Sequence, residues 1–196
     1  MNRRSGIESK RKIIEAAIKV FSECGYNAAT IRMIAKEAKI SPGGVYIYFK
    51  NKEDLYLFLV KEKIRELDEL TSPVLKDKSH PSSALKEYMR RVMDFARMHK
   101  ELIMIHSREL GFSFGIDLKR EFIKKEKSML VDLIKEGIKS GEFVDVDPEE
   151  AAKMITCLIR GYVFSFVVTP EDPPKSEECI RMVLRGLSRK KEGGDG

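Results

Sequence analysis

Residues 30–52 read TIRMIAKEAKISPGGVYIYFKNK, and the caps and apolar positions in that stretch decide the fold. Thr30 carries a side-chain oxygen that can accept from free N–H groups at a helix start, and Ile31, Ile34, Ala35 and Ala38 follow on one stripe. Ser41-Pro42 repeats the signal: a capping hydroxyl, then a proline whose missing N–H costs nothing at a first helical position. The helix it opens is short, burying Val45 and Phe49 and turning Tyr46 and Ile47 outward. Asn51 caps the next helix, with Glu53 and Asp54 in its electropositive first turn. Two short helices joined by a tight turn, the second exposing polar and aromatic side chains, is the arrangement that places a recognition helix in the DNA major groove.

Helical periodicity continues on both sides of this stretch. Upstream, Ile13, Ile14, Ala17, Val20 and Phe21 mark an amphipathic helix over residues 10–24, which Gly25 stops. Downstream, a long helix runs through Leu55, Leu59, Leu67 and Leu70, and residues 71–83, with Pro73 and Pro81, read as a connection. Leu85, Tyr88, Met89, Val92, Phe95, Ala96 and His99 then form one face, followed by a shorter apolar segment over 102–110 that the 111–115 stretch ends. Leu118, Phe122, Met129, Leu130, Leu133 and Ile138 mark a further helix stopped near Gly141. Asp147 as cap, Pro148 at the first position, and Glu149 and Glu150 against the macrodipole open the next. Residues 177–187 form the last helix, and the Gly-rich tail from Arg189 reads as frayed. The fold class is all-α, with about nine helices: a three-helix helix-turn-helix DNA-binding domain over 1–52, then a larger helical effector-binding and dimerisation domain over 53–196.

The residues carry a resemblance as well as a pattern. The apolar run 13–21, Gly25-Tyr26, Thr30, Ile34-Ala35, Ala38, the segment 41–49 and Lys52-Glu53 resemble, in order and spacing, the N-terminal domain of TetR-family transcriptional regulators. The resemblance implies a repressor that binds a palindromic operator as a dimer and is released by a small-molecule effector. It places Tyr46 and Lys52 where relatives hold backbone phosphates, Thr30 where a helix N-terminus approaches a phosphate, and Arg32 where a side chain reaches base or backbone. Ser41, Gly43, Gly44, Ile47 and Tyr48 fall in the segment entering the groove. Few of these offer hydrogen bonds to base edges, so much of the specificity is expected from DNA shape and phosphate positioning.

Charge supports a polyanion partner for the first segment alone. Residues 1–61 hold 12 Lys and Arg against 6 Asp and Glu, whereas 62–196 hold 25 of each. The three cysteines are scattered without a CxxC pair, which fits a reducing cytoplasm and indicates neither a disulfide framework nor a structural zinc. The longest apolar run, 151–168, contains Lys153 and Arg160 and reads as a buried helix rather than a membrane span. No Walker loop, dinucleotide fingerprint or nucleophile elbow is present, so no catalytic residue, metal or cofactor is expected. The competing reading is a small-molecule- or metal-binding helical bundle, or an enzyme, with no DNA role. His99 and His106 do not support it, because seven residues of one helix separate them by about 10 Å.

Two expectations concern the larger half. Ile155, Leu158, Ile159, Tyr162, Val163, Phe166 and Val167 cover too much of one helix to face a single core, so the last two helices are expected to form a homodimer interface. A dimer would address half-sites about 34 Å apart, or a multiple of that. Tyr88, Met89, Val92, Phe95, His99, Met104, His106 and Phe122 are candidates for lining a pocket for a largely apolar effector.

Overall fold

The computed structural model describes residues 3–107 and 115–188. Among them the chain forms nine helices: α1 (Arg3–Ala28), α2 (Ile31–Glu37), α3 (Pro42–Tyr46), α4 (Lys52–Lys76), α5 (Pro81–Met98), α6 (Lys100–Ile105), α7 (Ile116–Lys139), α8 (Pro148–Val168) and α9 (Ser176–Leu187). The expected end of the sixth helix within 111–114 and the frayed tail from Arg189 lie outside the described residues.

The helices group into two compact units, Met1–Arg65 with His99–Leu118 and Glu66–Met98 with Lys119–Gly196. In the first, Ile13, Ala17, Phe21, Ile34, Val45, Phe49, Leu55 and Tyr56 make one apolar core. Its centre is aromatic: Phe21 meets Tyr56 edge to face at 5.4 Å, and Tyr26 meets Tyr56 at 5.1 Å. Gly25 sits at φ 79, ψ 170, a conformation that a side chain would strain, and turns the chain within α1. The stop expected there is therefore a joint, with a short helical stretch beyond it.

In the second unit α5 packs against α8 and α9, and Leu85, Met89, Met93, Leu130, Leu133, Ile134 and Ala152 are fully buried. Gly137 is needed for close approach: a Cβ there would lie 2.1 Å from the buried Phe143 ring. The Phe143 N–H also donates to the Gly137 carbonyl at 2.9 Å.

One expected connection is largely helix. α4 continues through Pro73 to Lys76, and only residues 77–80 separate it from α5. The proline's cost is offset by tertiary contacts. Thr71 and Ser72 are buried, and Arg91 of α5 donates to the Leu70 carbonyl at 2.8 Å, in the turn where the proline interrupts the ladder.

α8 shows the two-sidedness expected of it. One face buries Ala152, Ile155, Ile159, Tyr162 and Phe166. On the other, Met154 is 71% exposed, Phe164 44% and Val168 60%. Exposed Cys157 and Gly161 continue that outer stripe, and Met182 of α9 is 70% exposed. A Cβ added at Gly161 or Gly186 would meet nothing.

Candidate nucleic-acid interface

Thr30 and Ser41 both act as N-caps: Thr30 Oγ1 accepts from the Met33 N–H at 3.2 Å, and Ser41 Oγ accepts from the Gly44 N–H at 3.1 Å. Asn51 Oδ1 likewise accepts from the Asp54 N–H at 2.7 Å. α3 is pinned from below by buried Val45 and Phe49. Phe49 packs edge to face on Phe58 at 5.3 Å, and the Lys10 ammonium lies 4.0 Å above the Phe58 ring.

With its inner residues held, α3 presents the rest. Tyr46 is 56% exposed and Ile47 67%; Arg32, Ser41, Pro42 and Gly43 are exposed and Gly44 half-buried. Tyr48 differs from its neighbours. It is half-buried, and its hydroxyl lies 3.5 Å from where a Cβ at Gly6 would stand, so the ring also serves the contact with α1.

Lys52 occupies a cradle of backbone. Its ammonium donates to the carbonyls of Tyr26 at 2.6 Å, Asn27 at 3.2 Å and Ala29 at 2.9 Å, and stands 4.3 Å over the Tyr26 ring. Three donors meet three acceptors, so in this conformation the residue fixes the chain immediately before the Thr30 cap. The phosphate contact expected of it would require leaving that cradle.

Other cations divide by position. On α1, Arg11, Lys12 and Lys19 pair with Glu15, Glu8 and Glu37, the last at 2.7 Å. Around α2 and α3, Arg32, Lys36, Lys39 and Lys50 are exposed, and among the described residues none of these four makes an ion pair. The signal that would have picked out Lys39 is its place at the end of α2, where a helix commonly ends on glycine.

The chain matches the model of the family described as bacterial regulatory proteins, tetR family, over residues 13–58. It is 32% identical to YhgD, an uncharacterised HTH-type transcriptional regulator of Bacillus subtilis, over 93% of this chain and 98% of that protein. This chain belongs to the TetR family. A second relative from the same bacterium, the fatty acid metabolism regulator protein, is 30% identical over 91% of this chain and 95% of its own length. The crystal structure of FadR from Bacillus subtilis in complex with stearoyl-CoA superposes with a TM-score of 0.72 at 28% identity, covering 90% of this chain and 98% of that one. A TetR regulator from Haloarcula marismortui, 21% identical, shares the fold with a TM-score of 0.78 over 92% and 98% of the two chains.

The effector candidates fall in different units. Tyr88, Met89, Val92 and Phe95 are buried on α5 of the second unit, with Phe122 half-buried on α7. His99, Met104 and His106 lie in the first, where His106 stacks on Tyr56 at 6.0 Å and 8°. Periodicity did not reveal a polar cluster in the second unit. Thr71 Oγ1 donates to the Leu67 carbonyl at 2.9 Å and lies 3.0 Å from Glu126 Oε1, while the Tyr88 hydroxyl bonds the same carboxyl. Burial pushes Glu126 up to about 7 and raises Tyr88 above the ordinary phenol range. Thr71 has one proton, so a neutral Glu126 that donates to Oγ1 satisfies both contacts at once.

Proposed function

We propose that this TetR-family chain is a cytoplasmic repressor that binds a roughly palindromic operator as a homodimer through α8 and α9. The observation that carries the reading is the outward face of α3, with Tyr46 and Ile47 exposed on a helix pinned by Val45 and Phe49. The DNA-facing set comprises Thr30, Arg32, Ser41, Gly43, Gly44, Tyr46, Ile47 and Tyr48, with Lys52 holding the chain before the first cap. The apolar outer stripe of α8 supports the dimer, since a solvent-facing row of Met154, Phe164 and Val168 is buried at low cost against a second copy.

The effector we propose is a long-chain acyl derivative. Its support is the 30% identical fatty acid metabolism regulator and the likeness to FadR solved with stearoyl-CoA, together with the apolar α5 face of Tyr88, Met89, Val92 and Phe95. Phe122, on α7 of the same unit, remains proposed as a further contributor, whereas His99, Met104 and His106 belong to the first unit and are left out of that pocket. An effector that binds the DNA-incompetent arrangement more tightly releases the operator by shifting the population. The reading assigns the chain no reaction.

In-vitro selection of bound duplexes tests it directly. The expected result is a two-fold symmetric site with half-sites about 34 Å apart or a multiple of it, and release on adding stearoyl-CoA but not acetyl-CoA. Tyr46→Ala is expected to weaken binding about tenfold without lowering Tm. Selection that enriches no sequence would overturn the reading, as would monomers at micromolar concentration in sedimentation.

A further inference from the structure

The turn between α2 and α3 is held by a specific set of hydrogen bonds. The Ala38 N–H donates to the Ile34 carbonyl at 2.9 Å, the Lys39 N–H to Lys36 at 3.1 Å and the Ile40 N–H to Ala35 at 3.0 Å. This is the Schellman closure of a helix, with Ile40 packed on the core, and it requires a left-handed residue just after the C-cap. Lys39 fills that position at φ 57, where a β-carbon is strained and glycine is the usual occupant. Among the described residues it is the one non-glycine with positive φ. The turn needs a left-handed backbone there but not a lysine, so the choice of this side chain over glycine invites a functional explanation.

The charge distribution supplies one. Lys52, the lysine expected on a phosphate, has its three protons on the Tyr26, Asn27 and Ala29 carbonyls. The lysines of α1 at positions 12 and 19 face glutamates. Among the described residues Lys39 is exposed without an ion pair, two residues before the Ser41 cap of α3, and Lys36 and Lys50 stand likewise on either side of it in sequence. We infer that Lys39, flanked by Lys36 and Lys50, supplies the charge that grips the phosphate backbone, in place of Lys52. The inference rests on the DNA-binding reading above. A cation at the C-terminal end of α2 also favours the helix dipole, which is the purely structural account of the same residue.

Lys39→Gly separates the two, because glycine suits the backbone and removes the charge. In the full chain the variant is expected to have a Tm at or above that of the parent. Its affinity for a random-sequence duplex and for the selected operator should both fall several-fold near 0.1 M salt. The slope of log K against log salt should shrink by about 0.9 for each subunit bound, the share of one lost phosphate contact. Lys52→Gln is expected to do the reverse, lowering Tm while keeping the parent slope. An unchanged slope in Lys39→Gly, beside a parent that binds DNA in a salt-dependent way, overturns the inference and leaves the DNA reading standing. A reduced slope in a fully folded Lys52→Gln also overturns it. A parent that shows no salt-dependent binding sinks both.

Discussion

Ser41-Pro42 and Ser72-Pro73 are the same dipeptide in two regions of the molecule, one opening a short helix and the other inside a long one. The side-chain hydrogen bonds show what separates them. Ser41 Oγ accepts forward, from the Gly44 N–H, whereas Ser72 Oγ donates backward to Asp68 at 2.7 Å and Thr71 Oγ1 to the Leu67 carbonyl. Ahead of Ser41 the left-handed Lys39 has already ended the previous helix, so Ser41 is free to cap. Nothing ends the helix ahead of Ser72. Its partners on other elements, Glu126 for Thr71 and Arg91 for the Leu70 carbonyl, hold the helical turn together despite the proline. The α2–α3 region is governed by its neighbours in the chain, and the end of α4 by its neighbours in space.

The comparison can be broken most severely at glycine. Gly137→Ala would put a methyl 2.1 Å from Phe143, backed by a fully packed core, and is expected to cost at least about 1–3 kcal/mol in denaturant unfolding. The same change at Gly44 meets nothing closer than 3.5 Å and should leave stability within about 1 kcal/mol. Equal losses at the two sites would show that the α2–α3 region is packing-limited after all. The two prolines give a middle-sized test of opposite sign. Pro73→Ala should stabilise, by up to about 3 kcal/mol, because it restores a helical donor, while Pro42→Ala at a first helical position should change little. Thermal melts that rank them the other way would mean that the end of α4 relies on the proline.

The remaining test is a pH dependence. Glu126 titrates higher in the folded chain, at about 7, than the 4.5 of a free carboxyl, so the native state holds the proton more tightly. Its contribution is fully present below about 4.5 and is lost as pH rises through about 7. Glu126→Gln should flatten stability across that window, and a parallel pH profile for parent and variant would remove Glu126 from the account.

These particulars also explain what could be read in advance. Thr30, Ser41, Asn51 and Asp147 cap helices where their spacing placed them, because a cap needs only its own next three residues. Val45 inward and Ile47 outward follow equally from local periodicity. The helical course through Pro73 was not legible, since it rests on Arg91, and Glu126 was invisible as a half-buried, hydrogen-bonded acid because its partners Thr71 and Tyr88 are distant in the chain. Lys52 was readable as a cation but not as the clasp of three carbonyls some two dozen residues upstream.

Val45, Phe49 and the half-buried Tyr48 tie the α3 segment to the interior, while Pro42, Gly43, Tyr46 and Ile47 face outward. Mutational drift on that outer surface is therefore cheap for the fold. On the proposed DNA-binding reading, a descendant of this protein acquires a new genomic address by changing a few letters there, while the core of the second unit stays as it is.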